Sequence, residues 1–110
     1  MVDVEQTKNF VKQFWDKSIL PTLTDYIRIP NKSIAFDSGW EEAGHMEDAL
    51  QLALGWLKQY PIPGSQIRVG RQSGRTPLIL LDCPGEREGT VIMYGHLDKQ
   101  PEMTGWRQDL

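Results

Sequence analysis

Cysteine is nearly missing from this sequence: Cys83 stands alone among 110 residues, so no intrachain disulfide can form. That poverty suits a reducing, cytoplasmic compartment. An excess of basic charge is missing too. Twelve Lys and Arg face fifteen Asp and Glu, a formal net charge of −3, which leaves no broad basic surface for nucleic acid. Long apolar runs are absent. The longest, Leu78-Ile79-Leu80-Leu81 and Val91-Ile92-Met93-Tyr94, are far too short to cross a bilayer, so no membrane partner is expected. The opening MVDVEQTKNF is acidic and amphipathic, the reverse of a basic segment leading into an apolar secretory core. No internal repeat, low-complexity tract or linker divides the chain, so residues 1–110 read as one domain.

What is present has a clear order. Phe10, Val11, Phe14, Trp15 and Ile19 fall at helical spacing. Pro21 interrupts that pattern, and because proline is tolerated in a first turn a second helix is expected to restart there, with Leu23, Tyr26 and Ile27 on one side. Pro30 closes it, since the residue before a proline is pushed out of the helical region. IPNKSIAFDSGW then reads as a loop. Ser38 with Glu41 three residues on has the spacing of a capping box, predicting a long helix whose face carries Ala43, Met46, Leu50, Ala53, Leu54 and Leu57. Tyr60-Pro61-Ile62-Pro63-Gly64 ends it.

The period then changes. Ile67-Arg68-Val69, Leu78–Leu81 and Val91–Tyr94 read as three strands separated by Gly- and Pro-bearing turns. Helices followed by strands predict a layered α/β domain. Val91–Tyr94, wholly apolar and bounded by turn signals, is expected to be buried on both faces.

The segment that follows carries the chemistry. In YGHLDKQPE, His96 and Asp98 stand at i and i+2, so extended backbone points both side chains the same way. A neutral imidazole is the commonest metal ligand. Ligating histidines usually donate their other ring nitrogen to a carboxylate. His96 is thus a candidate metal ligand and Asp98 its support, although a bare His-x-Asp triplet is more often an ordinary capping arrangement. His45, at the edge of the apolar helical stripe, reads as a solvated or core-edge histidine, and Cys83 as a small buried hydrophobe. Glu41-Glu42 and Glu47-Asp48 suit the positive end of a helix dipole. Arg68, Arg71 and Arg75 suit a strand edge guarded by charge, or a carboxylate-bearing substrate. Trp106 is expected to pack beneath the site.

The longer string YGHLDKQPEMTGW resembles the first metal-binding motif of the co-catalytic zinc metallopeptidases that include carnosinase and the cytosolic nonspecific dipeptidases. Gly95, His96, Asp98, Pro101, Gly105 and Trp106 carry the match. IPNKSIAFDSGW and GRTPLILLDCPG look like the family's earlier loop and the strand before the motif, so the likeness runs from about Tyr26 to Trp106.

The resemblance implies that His96 binds one of two zinc ions and that Asp98 is the catalytic aspartate steering it. It implies hydrolysis of dipeptides or short peptides, with two zinc ions per complete site and a glutamate as general base. It further implies the N-terminal portion of a three-layer α/β/α catalytic domain whose remaining ligands lie outside these 110 residues. The chain alone is then expected to be inactive, to self-associate, and to come from a parent that dimerises through a lid domain not included here. Two other readings stay open: an aminoacylase or desuccinylase of the same superfamily, and a non-catalytic α/β binding or scaffolding domain derived from such an enzyme.

Overall fold

A computed structural model describes residues 1–109. Helix α1 spans Val4–Phe14 and begins at Asp3, whose carboxylate accepts the Gln6 backbone N–H at 3.0 Å. That cap offsets one of the unpaired donors at a helix start. The chain does not break at Pro21. A π-helical turn over Trp15–Ile19 leads directly into α2, Leu20–Arg28, so one helical rod runs from Val4 to Arg28. Proline offers no N–H and crowds the carbonyl four residues earlier, and the wider π turn directly before it gives the ladder room to change register. The expected restart is therefore a change of helical pitch.

Ile29 is extended (φ −78°, ψ 119°), so the helix ends just before Pro30 as anticipated. The long helix differs from expectation at its start. Ser38 caps nothing: Gly39 precedes a four-residue helix α3, Trp40–Ala43, which has no side-chain cap. Gly44 then takes a left-handed conformation (φ 76°) and starts α4, His45–Gln59, in a new direction. The capping-box spacing was present, but the chain breaks at Gly44, one residue after Ala43, and this leaves Ala43 exposed.

The core is small and centred on α4. Met46, Ala49, Leu50 and Leu54 are its buried apolar residues. Trp56 and Tyr60 extend the same helix into an aromatic cluster with Phe14, at centroid separations of 5.9 and 4.9 Å. Below that cluster the Trp56 indole donates to the Ser18 hydroxyl at 2.9 Å, satisfying a polar pair where α4 crosses the helical rod.

Strands β1, Gln66–Gly70, and β2, Leu78–Asp82, form an antiparallel hairpin in which Ile67 faces Leu81 and Val69 faces Ile79. Ile67, Ile79 and Leu81 are half-buried, while Leu78 and Leu80 on the opposite face remain exposed. The predicted third strand is absent. Val91–Tyr94 pairs with nothing, and its four side chains are between 87 and 93% exposed rather than buried on both faces. A strand's free energy comes from its neighbours, and no strand lies beside this segment among the described residues.

The molecule is correspondingly open. Its accessible surface is 9689 Å², against about 6,200 Å² expected for a compact protein of this mass. Its radius of gyration is 17.2 Å, against about 13 Å for a compact domain of this length. Helices followed by a small two-stranded antiparallel sheet are compatible with the expected general α/β class.

Candidate functional site

The site is built where the Gly95–Pro101 segment crosses the end of α2. Lys32 and Lys99 form a parallel bridge: the Lys99 N–H donates to the Asn31 carbonyl at 2.9 Å, and the Ser33 N–H donates to the Lys99 carbonyl at 2.8 Å. The residues on either side are thereby laid along the loop that follows α2. Lys32 adds an ion pair to Glu102 at 2.9 Å, which holds the Glu102 carboxyl below its usual range.

Asn31 is the most deeply placed polar residue, 1% exposed. Its side-chain amide donates to the Leu97 carbonyl at 2.8 Å, and the Tyr26 hydroxyl donates to the same oxygen. From the next residue but one, the Lys99 ammonium reaches back over the face of the Tyr26 ring, 3.8 Å from its centroid. It donates to the carbonyls of Tyr26 at 2.7 Å and Ile29 at 2.6 Å, and to the Asn31 side-chain oxygen. Three donors thus meet three acceptors, two of them carbonyls at the C-terminus of a helix, where a cation is favoured. Burial holds the ammonium below its ordinary pKa and raises that of the Tyr26 phenol; for the phenol, the Asn31 hydrogen bond works against the rise and the charge of Asp98 adds to it.

His96 and Asp98 flank the pinned Leu97. Their side chains meet as the i, i+2 spacing requires: Nδ1 of His96 lies 2.8 Å from Asp98 Oδ1 and 3.1 Å from the Asp98 carbonyl oxygen. A carboxylate and a carbonyl both accept, so Nδ1 carries the hydrogen and Nε2 is left with its lone pair. The Asp98 carboxylate, then its carbonyl, then its charge raise the imidazole above its ordinary pKa. The imidazole is 67% exposed and Asp98 34%, an arrangement with an open nitrogen outside and the supporting carboxylate half inside. Both border an open cleft of about 340 Å³ whose floor includes Asn31, Met46 and Leu50.

The other candidates lie elsewhere. His45 is half-buried, 3.8 Å from Asp48 in the first turn of α4, and Cys83 is exposed after β2. Neither lines the His96 cleft. Arg71 makes a two-pronged contact with Glu47 at 2.5 and 2.8 Å, tying the end of β1 to the start of α4 and holding the Glu47 carboxyl at about 2. Arg68 contacts Gln66 beside it. Trp106 does not pack beneath the site: it is 69% exposed, and its indole donates to the Met103 carbonyl at 3.1 Å.

Zinc in a catalytic centre takes three protein ligands. Among the described residues no group of three or more His, Cys, Asp or Glu could hold a metal ion. His96 offers one nitrogen and Asp98 commits its nearer oxygen to the imidazole, so the donors of this chain do not by themselves fit a zinc centre.

Asn31, Tyr26 and Lys99 are the residues that sequence reading missed as parts of the site. Tyr26 was legible only as an apolar helix position, and no spacing rule links Asn31 to a carbonyl 66 residues away. No family model matches the chain, and no curated protein matches it.

Proposed function

We propose that this chain is the N-terminal portion of a zinc-dependent peptidase of the dipeptidase type, contributing the first corner of its metal site. The observation that carries the reading is the His96–Asp98 pair. An imidazole whose Nδ1 is committed to a carboxylate, with Nε2 open at the edge of a cleft, is prepared as a metal ligand with its support already in place. His96 is the ligand in this reading, and Asp98 orients it and strengthens its basicity.

The remaining ligands and a general base come from residues outside this chain, because the donors here supply only one position. The excess of exposed surface supports the same reading. The unpaired Val91–Tyr94 segment and the bare outer face of β2 are what a larger three-layer α/β/α domain would cover. The parent is a cytoplasmic hydrolase of dipeptides or short peptides, and the chain alone is inactive.

A second reading has one observation in its favour. The missing third ligand also suits a non-catalytic α/β domain in which His96 and Asp98 serve another contact. Zinc calorimetry on the purified chain, beside His96→Ala, separates the cases. Weak binding that is lost in His96→Ala is expected for a single corner of a site. Zinc binding of equal strength in the variant would remove His96 from the proposal. Peptide turnover by the isolated chain would overturn the assignment of the remaining machinery to other residues.

A further inference from the structure

The His96 imidazole is exposed, and among the described residues its polar contacts are with Asp98 alone, two residues on. A surface pair of that kind is ordinarily mobile, because two rotatable side chains lose entropy when held in one geometry. Here the peptide between them is not free to turn. The Leu97 carbonyl receives two donors, the Tyr26 hydroxyl and the Asn31 amide, from an element 66 or more residues away in sequence. On the far side of Asp98, Lys99 is fixed by its backbone to Asn31 and Ser33 and by its ammonium to the end of α2.

We propose that Lys99, Tyr26 and Asn31 are positioning residues that set the tautomer and ring orientation of His96 from the C-terminus of α2. The coupling is geometric. With the Leu97 carbonyl and the Lys99 N–H both tied down, the backbone from His96 to Asp98 is held in one conformation. Side chains at i and i+2 are then kept on one side, and the Asp98 carboxylate stays within reach of Nδ1. Lys99 belongs to the device because its ammonium shares Asn31 with the Leu97 carbonyl. The ammonium holds the amide oxygen, and this aims the amide nitrogen at Leu97. Freed from these ties, His96 would exchange the Asp98 contact for solvent, and Nε2–H would become the common tautomer, as in a solvated imidazole. The device acts on the imidazole itself and operates with or without a metal.

The test is long-range proton–nitrogen NMR of the ¹⁵N-labelled, metal-free chain at a pH where the imidazole is neutral. Native protein is expected to show Nδ1–H as the main tautomer of His96. Tyr26→Phe keeps the ring beneath the ammonium and removes one donor to Leu97, while Lys99→Met keeps the aliphatic stem and removes the charge. Each is expected to raise the ratio of the Nε2–H form roughly fivefold, the effect of one ordinary net hydrogen bond. His45, which lies outside the network, serves as the internal control and should not move. If Lys99→Met fails to fold, Tyr26→Phe decides alone. A His96 ratio unchanged in folded Tyr26→Phe overturns the proposal, as does an equal change at both histidines, which would mean general loosening. Zinc binding of equal strength in His96→Ala, with the tautomer shifting as described, removes His96 from the peptidase reading and leaves the positioning device standing.

Discussion

Asn31 and Leu97 are 66 residues apart and are joined by an amide-to-carbonyl hydrogen bond of 2.8 Å, made by a side chain only 1% exposed. This contact, the bridge beside it, the Tyr26 hydroxyl and the Lys99 ammonium together attach the His96–Asp98 segment to the helical half of the molecule. Without them the segment would hang from an unpaired stretch that begins at Val91.

Replacing Asn31 by Ala takes one hydrogen bond from each of two partners, the Leu97 carbonyl, which keeps the Tyr26 hydroxyl, and the Lys99 ammonium, which keeps the Tyr26 and Ile29 carbonyls. A loss of about 2 kcal/mol in unfolding free energy is expected from two hydrogen bonds lost at a buried side chain. Urea denaturation followed by tryptophan fluorescence measures it. A loss no greater than that of an exposed-site control such as Asn9→Ala would mean that solvent replaces the network without cost.

Ser18 and Trp56 make the corresponding test for the helical half. Ser18→Ala removes the acceptor of the Trp56 indole at a buried crossing, and about 1 kcal/mol should be lost. The Trp56 indole proton resonance should move and its exchange with water should quicken. An unchanged resonance would show that the indole does not use this hydroxyl in solution.

The Glu47–Arg71 pair predicts an acid response. The Glu47 carboxyl is held at about 2, chiefly by its hydrogen bonds to Arg71 and then Gln51, against an ordinary 4.5. A depressed carboxylate pKa means the unfolded chain binds the proton more readily. The stabilising contribution is therefore present above 4.5 and fades as pH falls toward 2. Carboxyl ¹³C titration should place Glu47 well below 4.5, and Arg71→Met should return it toward the ordinary range. A titration midpoint unaffected by Arg71→Met would rule out the pair as the cause. Because both groups are solvent-exposed, the effect on stability is expected to shrink as salt is added.

Val91–Tyr94 should make the chain associate with itself. Four consecutive apolar side chains, exposed and outside any strand, invite edge pairing with another copy. Light scattering should show association rising with concentration, and Ile92→Lys should reduce it, since a charge at an 87% exposed position opposes edge pairing without disturbing the core. A native chain that stays monomeric at high concentration would contradict this.

The helical half was largely legible in the sequence, and the reasons are local. Met46, Leu50 and Leu54 recur at the helical period and are buried as that period demands, and Pro30 and Pro61 stop their helices through steric conflict with adjacent backbone. The same local logic missed the direction of the chain at Gly44. Ser38 and Glu41 had the spacing of a cap, but capping is worth about 1 kcal/mol, too little to outweigh how the loop and α4 pack.

The contact between His96 and Asp98 also follows from the sequence, because extended backbone alone brings i and i+2 to one side. Two things were decided only by tertiary structure. One is the fate of Val91–Tyr94, whose apolar run is compatible with a buried strand but whose burial depends on a neighbour that composition does not specify. The other is the hold of Tyr26, Asn31 and Lys99 on the site. Steric period and backbone geometry act between residues a few positions apart, so sequence records them. A hydrogen bond across 66 to 73 residues depends on how the whole chain turns back on itself, and only the folded structure shows which partners meet.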